Sequence, residues 1–258
     1  MVKSVDINAD MGESFGVYRM GDDAAMLKIV SSANVACGFH AGDPLVMHDT
    51  VSLARAGGVD VGAHPSFLDL WGFGRRPIHG EHPDDLEKMI VYQVGALQAM
   101  AKVVGHRVTH VKPHGALSNM SAIDRDLATA LARAVRAVDR EMIVVALPGS
   151  ALESAAGRFQ LRVAREIYAD RAYDDEGQLV SRKLPGAVLH DAEEAARRVL
   201  SFVDDGAIRS VTGKRIPVQV DTICVHGDNP SAVAMARRVR ELLEEAGIVI
   251  RPMSQSLR

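Results

Sequence analysis

Aromatic residues are scarce in this chain, at 4%, and cysteine is scarcer, with two in 258 residues. The first shortage argues against a stacking surface for nucleic-acid bases. The second excludes a disulfide framework, and Cys37 and Cys224, each inside an apolar run, read as reduced thiols. Neither sign of charge prevails: 30 Lys and Arg stand against 33 Asp and Glu. A nucleic-acid footprint and a polybasic membrane patch are therefore both absent. No apolar run approaches the roughly 18 residues a membrane span needs, and residues 1–6 carry no apolar signal-peptide core. These shortages lead us to expect a cytoplasmic protein with no nucleic-acid or membrane partner. Its 47% apolar content is ample for a large core.

What the chain does have is one pattern, repeated: an apolar strand, a polar cluster, then a helix. Residues 31–44, SSANVACGFHAGDP, show it most fully. Here Asn34, Cys37 and His40 lie between a strand and a helix for which Asp43 is a candidate cap, with Pro44 at the first helical position. Upstream, Asp6, Asn8 and Asp10 alternate along a strand over 5–9 and its end, so they share one face; Glu13 follows at a glycine-bounded turn. A strand over 59–63 ends in His64, one over 108–111 in Lys112-Pro113-His114, and one over 161–168 carries Arg165 and Glu166. A buried Glu166 needs a cationic partner, for which Lys112, Arg165 and Arg171 are candidates. A strand over 218–225 ends in His226-Gly227-Asp228, with Asn229 and Pro230 repeating the cap device. Any one of these polar groups alone suits an ordinary strand end; their recurrence is what points to a site.

Helices are predicted over 22–29, 43–56, 83–104, 121–138, 191–205 and 231–246 from apolar spacing and end signals. In the helix over 121–138, Ser121 is the candidate cap. The unpatterned stretch 66–82 reads as a lid or binding loop, with Trp71 and Phe73 pinning it and Arg75 and Arg76 suited to a carboxylate or phosphate. Its Gly72-Phe73-Gly74 is no dinucleotide fingerprint, because no strand precedes it and the third glycine is missing. The stretch 208–217 reads as a connecting turn, and the tail as a short docking strand with a loose end.

An almost wholly apolar strand over 142–147, followed by a helix that starts at Pro148-Gly149-Ser150, brings the count to seven strands, each followed by a helix. That alternation implies a parallel sheet with right-handed crossovers. An open sheet gathers its chemistry at one switch point. Here nearly every strand ends in ionisable residues: Asp10, His40, His64, His114, Glu166, His226 and Asp228. The expectation is therefore an irregular seven-stranded (β/α) barrel, one domain over 1–258, with its site at the C-terminal mouth.

Five stretches in order, DINADMGE (6–13), NVACGFHAGDP (34–44), GAHP (62–65), KPHGAL (112–117) and VHGD (225–228), resemble the LamB/YcsF family over essentially the whole chain. The resemblance implies a barrel similar to the glycoside hydrolase/deacetylase superfamily. It also implies cleavage of 5-oxo-L-proline to L-glutamate coupled to hydrolysis of ATP, with Mg2+, by a 5-oxoprolinase in which this chain acts with partner subunits B and C. On that reading Asp10, Glu13, His64, Lys112 and His114 are the candidate catalytic groups, and Asn8, Asn34, His40, Arg75, Glu166, His226 and Asp228 the candidate substrate-binding ones. Two alternatives stand beside it. One is a metal-dependent amidohydrolase of the same barrel, with a divalent metal on Asp10, His40 and His64. The other is a non-catalytic component that binds a small carboxylate.

Overall fold

The computed structural model describes residues 3–227 and 230–257. Seven parallel strands close on themselves: β1 (Ser4–Met11), β2 (Ser32–Ala36), β3 (Asp60–His64), β4 (Val108–Val111), β5 (Ile143–Ala146), β6 (Arg162–Tyr168) and, beyond a small antiparallel hairpin of β7 (Ala207–Arg209) and β8 (Arg215–Pro217), β9 (Thr222–Val225). Closure is the pairing of β9 with β1, Asp6 opposite Thr222 and Asn8 opposite Cys224. The expected strand count and barrel are both present. The stretch 208–217, expected as a turn, is the hairpin, whose arms are too short to show a periodic signal.

Around the barrel run α1 (Asp23–Met26), α2 (Pro44–Gly57), α3 (Pro83–Val103), α4 (Gly115–Ile123), α5 (Arg125–Val138), α6 (Ala151–Arg158), α7 (Ala192–Asp205) and α8 (Pro230–Glu245). Asp43 caps α2 as expected, accepting from the backbone N–H of Leu45 and Val46 at 2.8 and 3.0 Å. The single helix expected over 121–138 is two. Ser121 lies inside α4, and the cap is Asp124, which accepts from Asp126 and Leu127 N–H at 2.9 and 3.1 Å. A sequence rich in helix formers on both sides of Asp124 hides that break. The second cap expected, Asn229, lies outside the described residues, as does Asp228.

Because side chains alternate along a strand, each strand has one outer apolar row and one inner row. Ile7, Val35, Val111 and Ile223 are buried in the main core, with Val51, Ile90, Leu97, Leu131, Val199 and Val239 of the helices. The alternate positions on the same strands are largely polar, and they are buried as well: Asp6, Asn8, Asn34, His110, Lys112, Glu166 and Thr222. A separate apolar cluster of Ile143, Val145, Ala164 and Met253 fills another part of the interior. Met253 belongs to α9 (Met253–Ser256), which follows β10 (Val249–Ile250), itself paired in parallel with Ser4 and Val5. The tail therefore has the docking strand that was expected, and its described residues after that strand form a helical turn that buries Met253 rather than a loose end.

Candidate active site at the barrel mouth

The inner rows converge on Lys112. Its ammonium lies 3.0 Å from Asp10 Oδ1 and 2.9 Å from Glu166 Oε1, and donates to Asn8 Oδ1 at 3.2 Å and Cys224 Sγ at 3.1 Å. The ring of Tyr168 is 5.2 Å away. Burial works against the charge on Lys112, but Asp10, Cys224 and Glu166 around it hold its proton well above the usual lysine range. Of the three candidate partners for Glu166, Lys112 is the one; Arg165 instead pairs with Glu153 and Asp221. The amides extend the network: Asn8 Nδ2 donates to Glu166 at 3.0 Å, and Asn34 Nδ2 to Asn8 Oδ1 at 2.7 Å and Asp10 Oδ1 at 3.0 Å. His110 Nε2 donates to Asn34 Oδ1 at 3.0 Å, and burial beside Lys112 drives the ring down to about 3, fixing it neutral.

Asp10 is thus held on both oxygens, Oδ1 by Lys112 and Asn34, Oδ2 by His64 Nε2 at 3.2 Å. Burial opposes its charge, yet His64 and Lys112 keep its carboxyl well below the usual range. Beside it stands a tight group of imidazoles. His64 Nδ1 donates to the Lys112 carbonyl at 2.7 Å, and His114 Nε2 to the Phe73 carbonyl at 2.8 Å. His40 stacks on His114 with ring centroids 3.7 Å apart, and its Nε2 lies 3.0 Å from Glu13 Oε1. Burial and the other rings push His40 and His114 well below the ordinary histidine range; burial and Asp10 raise Glu13.

Two loop features make room for this packing. Phe73, at φ 54°, is in a conformation that side chains rarely adopt, and it sets its ring edge-on to His40 and His114 at 5.4 and 5.3 Å. At Gly74, φ +62°, a Cβ would collide with Ser66, His114 and His40. The expected pin of the loop is thus Phe73 alone, since Trp71 is 98% exposed. The arginine pair also separates. Arg76 is bound to Asp69, while Arg75 lies over the Phe73 ring at 5.1 Å and lines the cavity.

Above the cluster opens a cavity of about 1070 Å³. Asp10, Glu13, His114, Arg75 and His226 line it, with Tyr168, Arg171, Ser118 and Asn119. Asn8, Asn34, Glu166 and Lys112 are instead buried below, and His40 and His64 are buried behind the lining. In this arrangement those six groups orient the ones that reach the cavity. His226 is set apart from the imidazole group, its Nδ1 2.8 Å from Asp170.

One donor atom each from Glu13, His40, His64 and His114 lies within 4.8 Å of the others, a nitrogen and oxygen set that suits a divalent cation. Asp10, expected among the ligands, lies outside this donor set, with Oδ1 on Lys112 and Asn34 and Oδ2 beside His64; Glu13 and His114 take the place expected for it. Sequence reasoning missed His110, Cys224, Tyr168 and Thr222 as members of the network. His110 stands two residues before Lys112, Tyr168 two after Glu166, and Thr222 and Cys224 two apart, a period-two signal that was there to be followed.

The family pattern of LamB/YcsF matches residues 5–258. The chain belongs to the LamB/YcsF family. Among relatives, it is 55% identical to the A component of the 5-oxoprolinase of Rhodopseudomonas palustris, over 97% of this chain and 98% of that one. The "Lactam Utilization Protein" of Thermus thermophilus superposes with a TM-score of 0.91 at 46% identity, covering 96% and 99% of the two chains. The catalytic domain of a peptidoglycan N-acetylglucosamine deacetylase from Eubacterium rectale has the same barrel, with a TM-score of 0.51 at 11% identity over 97% and 88%. At that identity the likeness is of fold only.

Proposed function

We propose that this LamB/YcsF chain belongs to a cytoplasmic, ATP-dependent 5-oxoprolinase and, with partner subunits B and C, cleaves 5-oxo-L-proline to L-glutamate while ATP becomes ADP and phosphate. The observation that carries the reading is the Asp10 carboxylate, held low by His64 and Lys112 at the floor of a cavity sized for a small ligand. The 55% identity to a 5-oxoprolinase component over nearly the full length supports it.

The chemistry follows from the weakness of a lactam as an electrophile. Transfer of the γ-phosphoryl group of ATP, with Mg2+, to the lactam oxygen releases ADP and activates the ring carbon. Water adds to that carbon, the C–N bond breaks with a proton delivered to nitrogen, and the ring opens. A second water then releases phosphate and leaves glutamate. Asp10 and Glu13, which line the cavity, are placed to take the proton from water, and Glu13, raised by burial and Asp10, to return one to the nitrogen, with His114 Nδ1 3.6 Å from Glu13 Oε1. Lys112 positions Asp10 from below, since its ammonium is already engaged by two carboxylates, an amide and a thiol.

A divalent cation on Glu13, His40, His64 and His114 would supply Lewis-acid polarisation of a substrate oxygen. Its donor set gives the second reading, a metal-dependent amidohydrolase that needs no ATP. Reconstitution separates the two: this chain is combined with subunits B and C, each omitted in turn, and glutamate and phosphate release are followed. Coupled release only by the full set supports the proposal; ATP-independent, chelator-sensitive release by this chain alone supports the second reading.

A further inference from the structure

Across the barrel from β3, the wall of the cavity that follows β6 is cationic, and the mechanism above makes no use of it. Arg171, Arg182 and Lys183 line it. Arg171 is only 7% exposed, its Nη2 donates to the Val180 carbonyl at 2.6 Å, and its Nε is buried with no hydrogen-bond partner among the described residues. Its neighbour Asp170 turns to His226, and Arg182 Nη2 lies 3.4 Å from the other nitrogen of that ring. Among the described residues, Asp174 is the acidic group of this wall that lines the cavity, so the cations there outnumber it.

The mount is rigid. Arg171 forms a bridge with Val188, Leu189 N–H donates to the Asp170 carbonyl at 2.8 Å, and Val180 N–H to that of Ala172 at 3.0 Å. Fully buried Tyr173 accepts from Tyr168 N–H at 2.7 Å beneath it. A buried guanidinium with a spare donor is costly unless something accepts from it. A guanidinium fork matches the two oxygens of a carboxylate or phosphoryl group.

We propose that Arg171, assisted by Arg182, is an oxyanion subsite that grips the carboxylate or phosphoryl group of the ligand in this cavity. Which ligand brings that group rests on the 5-oxoprolinase reading; the subsite itself does not.

Calorimetry on the full chain tests it with 5-oxo-L-proline, inorganic phosphate, and 2-pyrrolidinone, the same ring without a carboxylate. At least one anionic probe is expected to bind, and Arg171→Met to weaken it by roughly tenfold to a hundredfold. Arg171→Lys should recover part of the loss, and pyrrolidinone should be indifferent to all variants. A loss confined to 5-oxoproline assigns the carboxylate; one confined to phosphate assigns the phosphoryl group. If Arg171→Met does not fold, Arg182→Ala decides, with a smaller loss expected. Absence of binding by both anions, or equal binding by wild type and variants, overturns the subsite. Phosphate binding lost in Arg171→Met, in an assembly that makes no glutamate, would sink the 5-oxoproline reading and leave the subsite standing. Unchanged KM for 5-oxoproline together with unchanged phosphate binding would do the reverse.

Discussion

His64 Nε2 lies 3.0 Å from His114 Nδ1, and the outer nitrogen of each ring faces a main-chain carbonyl. A carbonyl only accepts, so both outer nitrogens carry hydrogens, and the two inner lone pairs of neutral rings would face each other. A shared proton or a cation between them resolves the contact. The expected outcome is uptake of a divalent cation such as Co2+, read by its visible absorption, weakened at least tenfold or so by Glu13→Gln and His114→Ala. A chain that takes up no cation, with ring nitrogens showing no shared proton by NMR, would contradict this account of the pair.

Removing Lys112 leaves Asp10 and Glu166 as buried carboxylates without their cation. Lys112→Met is expected to destabilise the chain by about 3–5 kcal/mol, measured by urea unfolding at neutral pH. A loss below about 1 kcal/mol would show that the network is not held by this charge.

Asp6 gives stability a pH dependence of definite sign. Burial raises its carboxyl from the ordinary 3.8 to about 6, against hydrogen bonds from Ser32, Thr222 and Ser31. Between those values the folded chain holds a proton that the unfolded chain has lost. The contribution is fully present below pH 3.8, and is lost as pH rises through about 6. Its size is on the order of 3 kcal/mol. Unfolding midpoints from pH 4 to 7 should fall for wild type relative to Asp6→Asn, and parallel curves would contradict the assignment.

How much of this was legible in the sequence depended on the kind of signal. The barrel was, because strand, polar end and helix recur seven times, and the strand ends supply Asp10, Glu13, His40, His64 and His114, which do meet. The break at Asp124 was not, since helix formers flank it on both sides. Nor was the separation of Arg75 from Arg76, which depends on Asp69 reaching back to hold Arg76. The unspent Nε of Arg171 is visible only once Lys112, not Arg171, is seen to take Glu166.

Met253 packs with Ile143, Val145 and Ala164 and is fully buried. Met253→Ala should cost about 2–5 kcal/mol in chemical denaturation. A change within experimental error would mean that the C-terminal turn adds nothing to the barrel.

The central claim is that Asp10 drives water onto the activated ring carbon. Glutamate release by the three-subunit assembly, with Asp10→Asn in this chain and its folding checked by circular dichroism, tests it most directly. The account predicts a fall in kcat of roughly 10²–10⁴-fold, with KM for 5-oxoproline little changed. A folded Asp10→Asn chain that supports the wild-type rate would contradict it.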